Sequence, residues 1–314
     1  MPIRLPALNP SVGRYTPDPQ VVAAVRDASA TTGARFDTLM ASAALESGLH
    51  STAKASTSSA SGLFQFTDQT WLATVRQYGA AQGLRADAAA IVSQNGQLTV
   101  ADPVERQRIL NLRFDPVVSA TMAGDHLRGL ATSLGASIGR SPDAAETYMA
   151  HFLGTSGATQ MLHAAQITPG RSAAEVLPEA AQANPAAFNA ADGTPRTVSQ
   201  FVQRMRSRVA QAFADVGAAM PQGALAFAGP SAAAGLGAGG GRGLGLARAS
   251  ATPAERAMVA SLVNVFTRLD RSETSSQATH GKRNHALPFG LVSTLVSSSG
   301  LDPEQSSAGG ASKG

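Results

Sequence analysis

The chain of 314 residues contains no cysteine. That absence excludes a disulfide framework, a thiolate metal site and a cysteine nucleophile. Long apolar runs are missing as well. No stretch approaches the roughly 18 consecutive apolar residues of a membrane-spanning helix. Charge is scarce, at 15% of residues. A sequence pI near 9.9 suggests an anionic partner, but the net charge is only +4 and the arginines are scattered. That is a weak electrostatic footprint, so no nucleic acid is expected. The first twenty residues carry no apolar core flanked by a basic end, so a standard secretory signal is not expected. His50, His126, His151 and His163 follow no metal-ligand spacing. The glycines of 235–243 follow no strand and make no dinucleotide loop. Ser47 has no histidine and aspartate at a triad-like spacing. Neither a metal nor a cofactor is expected.

What is present is helix. Between residues 16 and 215 the helix-start signals recur. Asp18-Pro19, Asp102-Pro103, Asp115-Pro116 and Ser141-Pro142 each read as a cap followed by proline at the first helical position. Asp37 and Thr67 read as further caps, with Gly33, Gly48 and Gly79 as stops, and Thr197 opens a last long helix to about Val216. Strand signals are sparse, and the reading finds no Asn-Gly hairpin. The expected fold class is all-α, with Lys54–Phe66 as the one place for a small hairpin.

Six segments follow from the composition: an N-terminal arm (1–15), a main domain (16–170), a helical extension of it (171–220), a linker (221–251), an amphipathic helix (252–270) and a polar, mostly disordered tail (271–314). The linker reading rests on glycine, which supplies eight of the seventeen residues from Gly229 to Gly245. The helix rests on the capping box Thr252-Pro253-Ala254-Glu255 and on Met258, Leu262, Val265, Phe266 and Leu269 at helical spacing. It reads equally as a docking helix for a partner and as a helix packed back on the main domain. Arg204, Arg206 and Arg208 read as a solvated helix face rather than a binding patch.

One carboxylate stands out. In the helix begun by Asp37, Met40, Ala43, Ala44 and Ser47 form a small or apolar stripe, with Leu39 alongside. Glu46 lies at the edge of that stripe and in the last helical turn. Burial and the negative end of the helix dipole both favour a neutral carboxyl there. Such a group suits general acid chemistry. A polar loop of small residues follows, then Gly62-Leu63-Phe64-Gln65-Phe66, then a capped helix holding the only tryptophan, Trp71.

The segment ALESGLHSTAKASTSSASGLFQFTDQTWL resembles the active-site segment of the soluble lytic transglycosylases, of the goose-type lysozyme superfamily. Glu46-Ser47 matches that family's Glu-Ser pair, Ser56 its loop serine, and Ala60 to Phe66 its glycine-leucine-glutamine stretch. The loop is one residue longer, Ser59 replaces a glycine, and Phe64 and Phe66 replace methionine and isoleucine. Farther on, Ala150-His151-Phe152-Leu153-Gly154 with Gly157-Ala158 is similar, more loosely, to the family's Ala-Tyr-Asn-Ala-Gly segment. His151 stands where tyrosine is usual, and Tyr148 lies one turn earlier, so either could face the cleft. The resemblance covers Asp18 to about Ala165. Residues 171–188 and 194–203 resemble a helical extension found in some such proteins.

The resemblance implies a chemistry and a site. Glu46, as sole general acid and base, would cut the bond between N-acetylmuramic acid and N-acetylglucosamine in peptidoglycan, leaving a 1,6-anhydro product. Ser47, Ser56, Gly62, Phe64 and Gln65, with Tyr148 or His151, would bind the sugars. Trp71 would be a stacking platform or, as its spacing with Val75 and Tyr78 favours, core. Two other readings stay open: a lysozyme-type hydrolase, for which Asp68 is the nearest second acid, and a low-activity envelope assembly or binding protein on the same fold. The partners implied are glycan strands and, through 252–270, an envelope-assembly protein. The substrate implies the periplasm or cell envelope, reached by a non-standard export route.

Overall fold

The computed structural model describes residues 11–56 and 58–227. The expected helix at 252–270, the tail and most of the linker lie outside the described residues, as do the first ten residues of the arm. Among the described residues 64% are helical, in eleven α-helices with one small antiparallel hairpin.

The helices in chain order are α1 (Pro19–Thr32), α2 (Phe36–Ser47), α3 (Asp68–Tyr78), α4 (Arg85–Ala90), α5 (Pro103–Asn111), α6 (Pro116–Ile138), α7 (Ala144–Ile167), α8 (Ala173–Val176), α9 (Pro178–Ala183), α10 (Pro185–Phe188) and α11 (Val198–Asp215). The hairpin joins β1 (Ile91–Gln94) to β2 (Gln97–Val100). Most starts are made by the expected caps. Asp18 accepts from Gln20 N at 2.8 Å, Asp102 from Val104 N at 2.9 Å, and Asp115 from both Val117 N and Val118 N.

Three local expectations need correction. α2 begins at Phe36, so Asp37 sits in its first turn instead of capping it. α7 is capped by Asp143, not by Ser141-Pro142. Asp143 and Glu146 exchange hydrogen bonds as a capping box, and Arg140 clasps the Glu146 carboxylate at 2.6 and 2.7 Å. That local exchange outweighs the proline signal two residues earlier. Finally, an Asn-Gly hairpin does exist. Asn95 (φ +51°) and Gly96 (φ +75°) turn β1 into β2, and both positive φ values are what a two-residue hairpin turn needs. At Lys54–Phe66 the chain makes only the isolated pairings Lys54 with Ser61 and Ser61 with Phe66.

α2 is the centre of the main domain. Leu39, Met40, Ala41, Ala43, Ala44 and Glu46 are all buried, around most of its circumference. A helix enclosed this way must be apolar nearly all round, and its alanines let neighbours approach closely. α1, α6 and α11 pack against it; α1 also packs along α6, and α6 and α11 each pack along α7. α11 contributes Phe201, Met205, Val209 and Phe213 as its buried stripe. Phe201 stacks between Phe188, at 4.6 Å, and Phe152, at 6.5 Å. The extension at 171–220 is therefore seated on the main domain. The chain continues docked beyond it: Leu225 is buried and donates its N–H to Pro142 O at 2.8 Å. The first residues assigned to the linker thus pack on the start of α7. No helix among the described residues is long and apolar enough to cross a membrane.

Candidate functional site

Glu46 sits in the last turn of α2, only 4% exposed. Immediately after it the chain reverses. Gly48 (φ +63°) and Leu49 (φ +67°) are both left-handed, and their N–H groups cap the carbonyls of Ala44 and Ala43. Ser47 fixes the next loop to this turn: its hydroxyl donates to Leu63 O at 2.7 Å and accepts from His50 N at 3.2 Å. Ser47 thus spends its hydroxyl on backbone. It positions the 62–66 loop beside Glu46 and does not reach into the cleft.

That loop is held from below by Arg113, a residue the sequence did not single out. Its guanidinium is nearly buried and donates to Leu110 O at 2.8 Å and to Ser59 O and Phe66 O at 2.9 Å each. It also pairs with Asp68 at 2.9 Å. Burial pulls the guanidinium below its ordinary pKa, and the Asp68 charge works against that. Gly62 explains its own identity here. Its φ is +81°, and a Cβ on it would stand 2.0 Å from Arg113 O. Gln65 adopts a left-handed φ of +48° and turns its amide inward, to Gly62 O at 2.9 Å and Ala53 O at 3.2 Å. Ser56 is exposed and lines no part of the pocket described next.

Trp71 is fully buried and donates its indole N–H to Ile109 O at 2.7 Å. It is core, and a sugar cannot stack on it. Asp68 is equally committed: Arg106 at 3.1 Å and Arg113 hold its carboxylate.

The side chains that converge on Glu46 come from α2, α6, α7 and the 62–66 loop. A pocket of about 310 Å³ is lined by Ser42, Glu46, Phe64, Phe66, His126, Tyr148 and His151, with apolar contributions from Ala123 and Leu127. Both Tyr148 and His151 face it, so the sequence-level choice between them dissolves. His151 Nε2 lies 3.5 Å from Glu46 Oε1. α7 kinks just beyond this point, at Gly154 (φ +74°, ψ +161°). Only glycine takes that conformation readily, so the helix changes direction directly after presenting Tyr148 and His151. His126, from α6, meets the ring of His151 edge-on at 5.8 Å and that of Phe66 at 5.6 Å.

These polar groups are buried and unsatisfied. Both Glu46 oxygens, His126 Nε2 and His151 Nδ1 are shielded from solvent with no hydrogen-bond partner. Burial, with the nearby Glu46 charge second, pushes the Tyr148 phenol above its ordinary pKa. Burial, with His151 second, pushes His126 down to about 3, so its imidazole stays neutral. Nothing in the sequence ties His126 to Glu46. It is one histidine on a long helix, and only the packing of α6 on α7 brings it in.

No protein-family model matches the chain.

Proposed function

We propose that the chain is a lytic transglycosylase acting on peptidoglycan, with Glu46 as its one general acid and base. The observation that carries this reading is the pocket itself. Glu46 is the sole carboxylate among its lining residues, and it is held there without a hydrogen-bond partner. Buried polar groups are normally satisfied, and the exceptions call for an occupant or a chemical role. Here the orphaned atoms face an apolar wall of Phe64, Phe66 and Leu127.

The chemistry needs one proton donor that later becomes the acceptor. Glu46 gives its proton to the oxygen linking N-acetylmuramic acid to N-acetylglucosamine, and that bond breaks with oxocarbenium character at C1. The carboxylate then takes the proton of the muramic C6 hydroxyl, whose oxygen closes onto C1. Glu46 ends protonated, ready for another turn, and no water is consumed. Holding the C6 hydroxyl close to C1 and to Glu46 is the main task left to the protein. Tyr148 and His151 flank the carboxyl, with His151 Nε2 3.5 Å from Glu46 Oε1. Gln65 acts through the loop, by fixing the backbone around Phe64.

A hydrolase would use a second carboxylate to activate water. Asp68, the nearest acid in the motif, is engaged by two arginines. That favours the single-carboxylate course.

The test is a digest of isolated peptidoglycan by the purified chain and by Glu46→Gln, with soluble muropeptides identified by mass spectrometry. The expected products lack a reducing end, weigh one water less than the hydrolytic ones, and are absent with the variant. Reducing-end products would replace the proposal with a hydrolase. No products from either protein would replace it with a binding or assembly role.

A further inference from the structure

Among the residues that line the Glu46 pocket, His151 is a base that reaches the carboxyl itself, with Nε2 3.5 Å from Oε1. The two side chains differ in their access to water. That of Glu46 is 3% exposed and that of His151 14%. The wall around them is largely apolar, with Phe64 and Phe66 from the 62–66 loop and Ala123 and Leu127 from α6.

Other ionisable groups bear on this pair from the packed helices. His126, from α6, meets the His151 ring at 5.8 Å and stays neutral, held down to about 3 by burial first and by His151 second. Tyr148, from α7, is kept a neutral phenol by burial and, second, by the Glu46 charge. Arg208, from α11, is only 9% exposed and acts on the Tyr148 hydroxyl. With Arg14, Arg196 and Arg204 it also lines a separate cavity along α11. Arg206 pairs instead with Asp143 at 2.7 Å, so Arg204, Arg206 and Arg208 do not form the single solvated face read from the sequence.

A lone carboxylate in an apolar pocket is a net charge taken out of water, and so is a lone imidazolium. Side by side they escape that cost with one proton between them. A carboxyl beside a neutral imidazole sums to zero, and so does a carboxylate beside an imidazolium. Two groups coupled in this way titrate as a unit.

We propose that Glu46 and His151 share one exchangeable proton between Oε1 and Nε2, and that His151 is the positioning residue that keeps the acid loaded. The pairing stands on its own geometry; its catalytic meaning rests on the reading of Glu46 as general acid and base. With the proton on Glu46, the carboxyl gives it to the glycosidic oxygen, and the pair is left as carboxylate and neutral imidazole. The C6 hydroxyl then returns one proton to Glu46 as its oxygen closes onto C1. His151 never meets the sugar. It holds the proton within the pair as pH rises.

The first test needs no activity. Proton NMR of the full chain follows the His151 imidazole resonance from pH 4 to 9, assigned by its loss in His151→Gln. In Glu46→Gln its titration midpoint should fall by at least about one pH unit, a roughly tenfold loss of proton affinity. A midpoint that moves by less than about 0.3 unit overturns the pairing. The second test compares the release of anhydro-muropeptides by the chain and by His151→Gln. The ratio of the rate at pH 8 to that at pH 5 should fall about tenfold or more in the variant, because a carboxyl without its partner gives up the proton earlier. An equal loss at both pH values, with the ratio unchanged, makes His151 a structural residue and overturns the proposal. Muropeptide release with an unmoved midpoint sinks the pairing and leaves the reading of Glu46 standing. No release by the chain sinks that reading, and the midpoint alone then decides the pairing.

Discussion

Two buried polar clusters hang on the same stretch of chain, residues 46–68, and they are finished differently. Around Arg113 the donors and acceptors are matched: three carbonyls and one carboxylate receive its guanidinium, and Asp68 is shared with Arg106. Around Glu46 its own two oxygens, His126 Nε2 and His151 Nδ1 end in no hydrogen bond. The first cluster is what a fold does with a buried charge when the charge serves only the fold. The second is what remains when groups are held for something that comes from outside. The same loop, 59–66, is braced by the first and lines the second, so a rigid neighbour keeps the unsatisfied site in shape.

The contrast can be broken or sharpened by mutation. The largest effect is expected at Glu46. Glu46→Gln should lower the release of anhydro-muropeptides by about a thousandfold, within the usual range for losing a general acid. Its melting temperature should stay level or rise, because a buried carboxyl is replaced by a neutral amide of similar shape. Parallel digestion and calorimetry check both halves. A large fall in melting temperature would mean that Glu46 belongs with the structural cluster.

Arg113→Leu should behave in the opposite way. It strips partners from Ser59 O, Phe66 O, Leu110 O and Asp68 together, and should cost about 3–5 kcal/mol in urea unfolding. Activity should fall only as the folded fraction falls. An effect below about 1 kcal/mol would show that the matched cluster is not what holds the loop.

His126, beside Glu46, makes stability depend on pH. Its folded-state pKa lies near 3, against 6.5 for an ordinary histidine. The unfolded chain therefore binds the extra proton first as pH falls below about 6.5, and stability drains away down to about 3. The slope approaches about 1.4 kcal/mol per pH unit in that window. His126→Phe should flatten that part of the stability profile, measured by denaturant midpoints between pH 4 and 7. An unchanged slope would place the acid sensitivity elsewhere.

The smallest change is expected at Ser47. Ser47→Ala removes the hydroxyl bridge from α2 to Leu63 and should cost about 1 kcal/mol. Any loss of activity should come through a loosened 62–66 loop, read as a raised KM with kcat nearly kept. A loss of kcat equal to that of Glu46→Gln would move Ser47 into the reacting group.

Much of this was legible in the residues, and the reasons are local. Asp18, Thr67, Asp102, Asp115 and Thr197 announce helix starts because a cap is settled within four residues. Glu46 could be picked out because its helix is apolar on several sides. Other features were illegible or passed over. Asn95-Gly96 is a short turn signal within a helical background. Asp143 competes with the neighbouring Ser141-Pro142, and the winner is decided by Glu146 and Arg140 reaching back. Arg113 reads as one more surface arginine until the fold closes over it.

The sequence alone determined the helical character of residues 16–215, most helix boundaries, and a carboxylate at the end of an apolar helix followed by a glycine-bearing loop. These are matters of near-neighbour chemistry: capping, periodicity and backbone freedom. Only the tertiary structure decided which polar groups meet. It brought His126 from α6 and Tyr148 and His151 from α7 to Glu46, gave Asp68 to two arginines, buried Trp71, and gathered four arginines along α11. Those encounters join residues tens of positions apart to nearly two hundred. They follow from how helices pack, which no local pattern encodes.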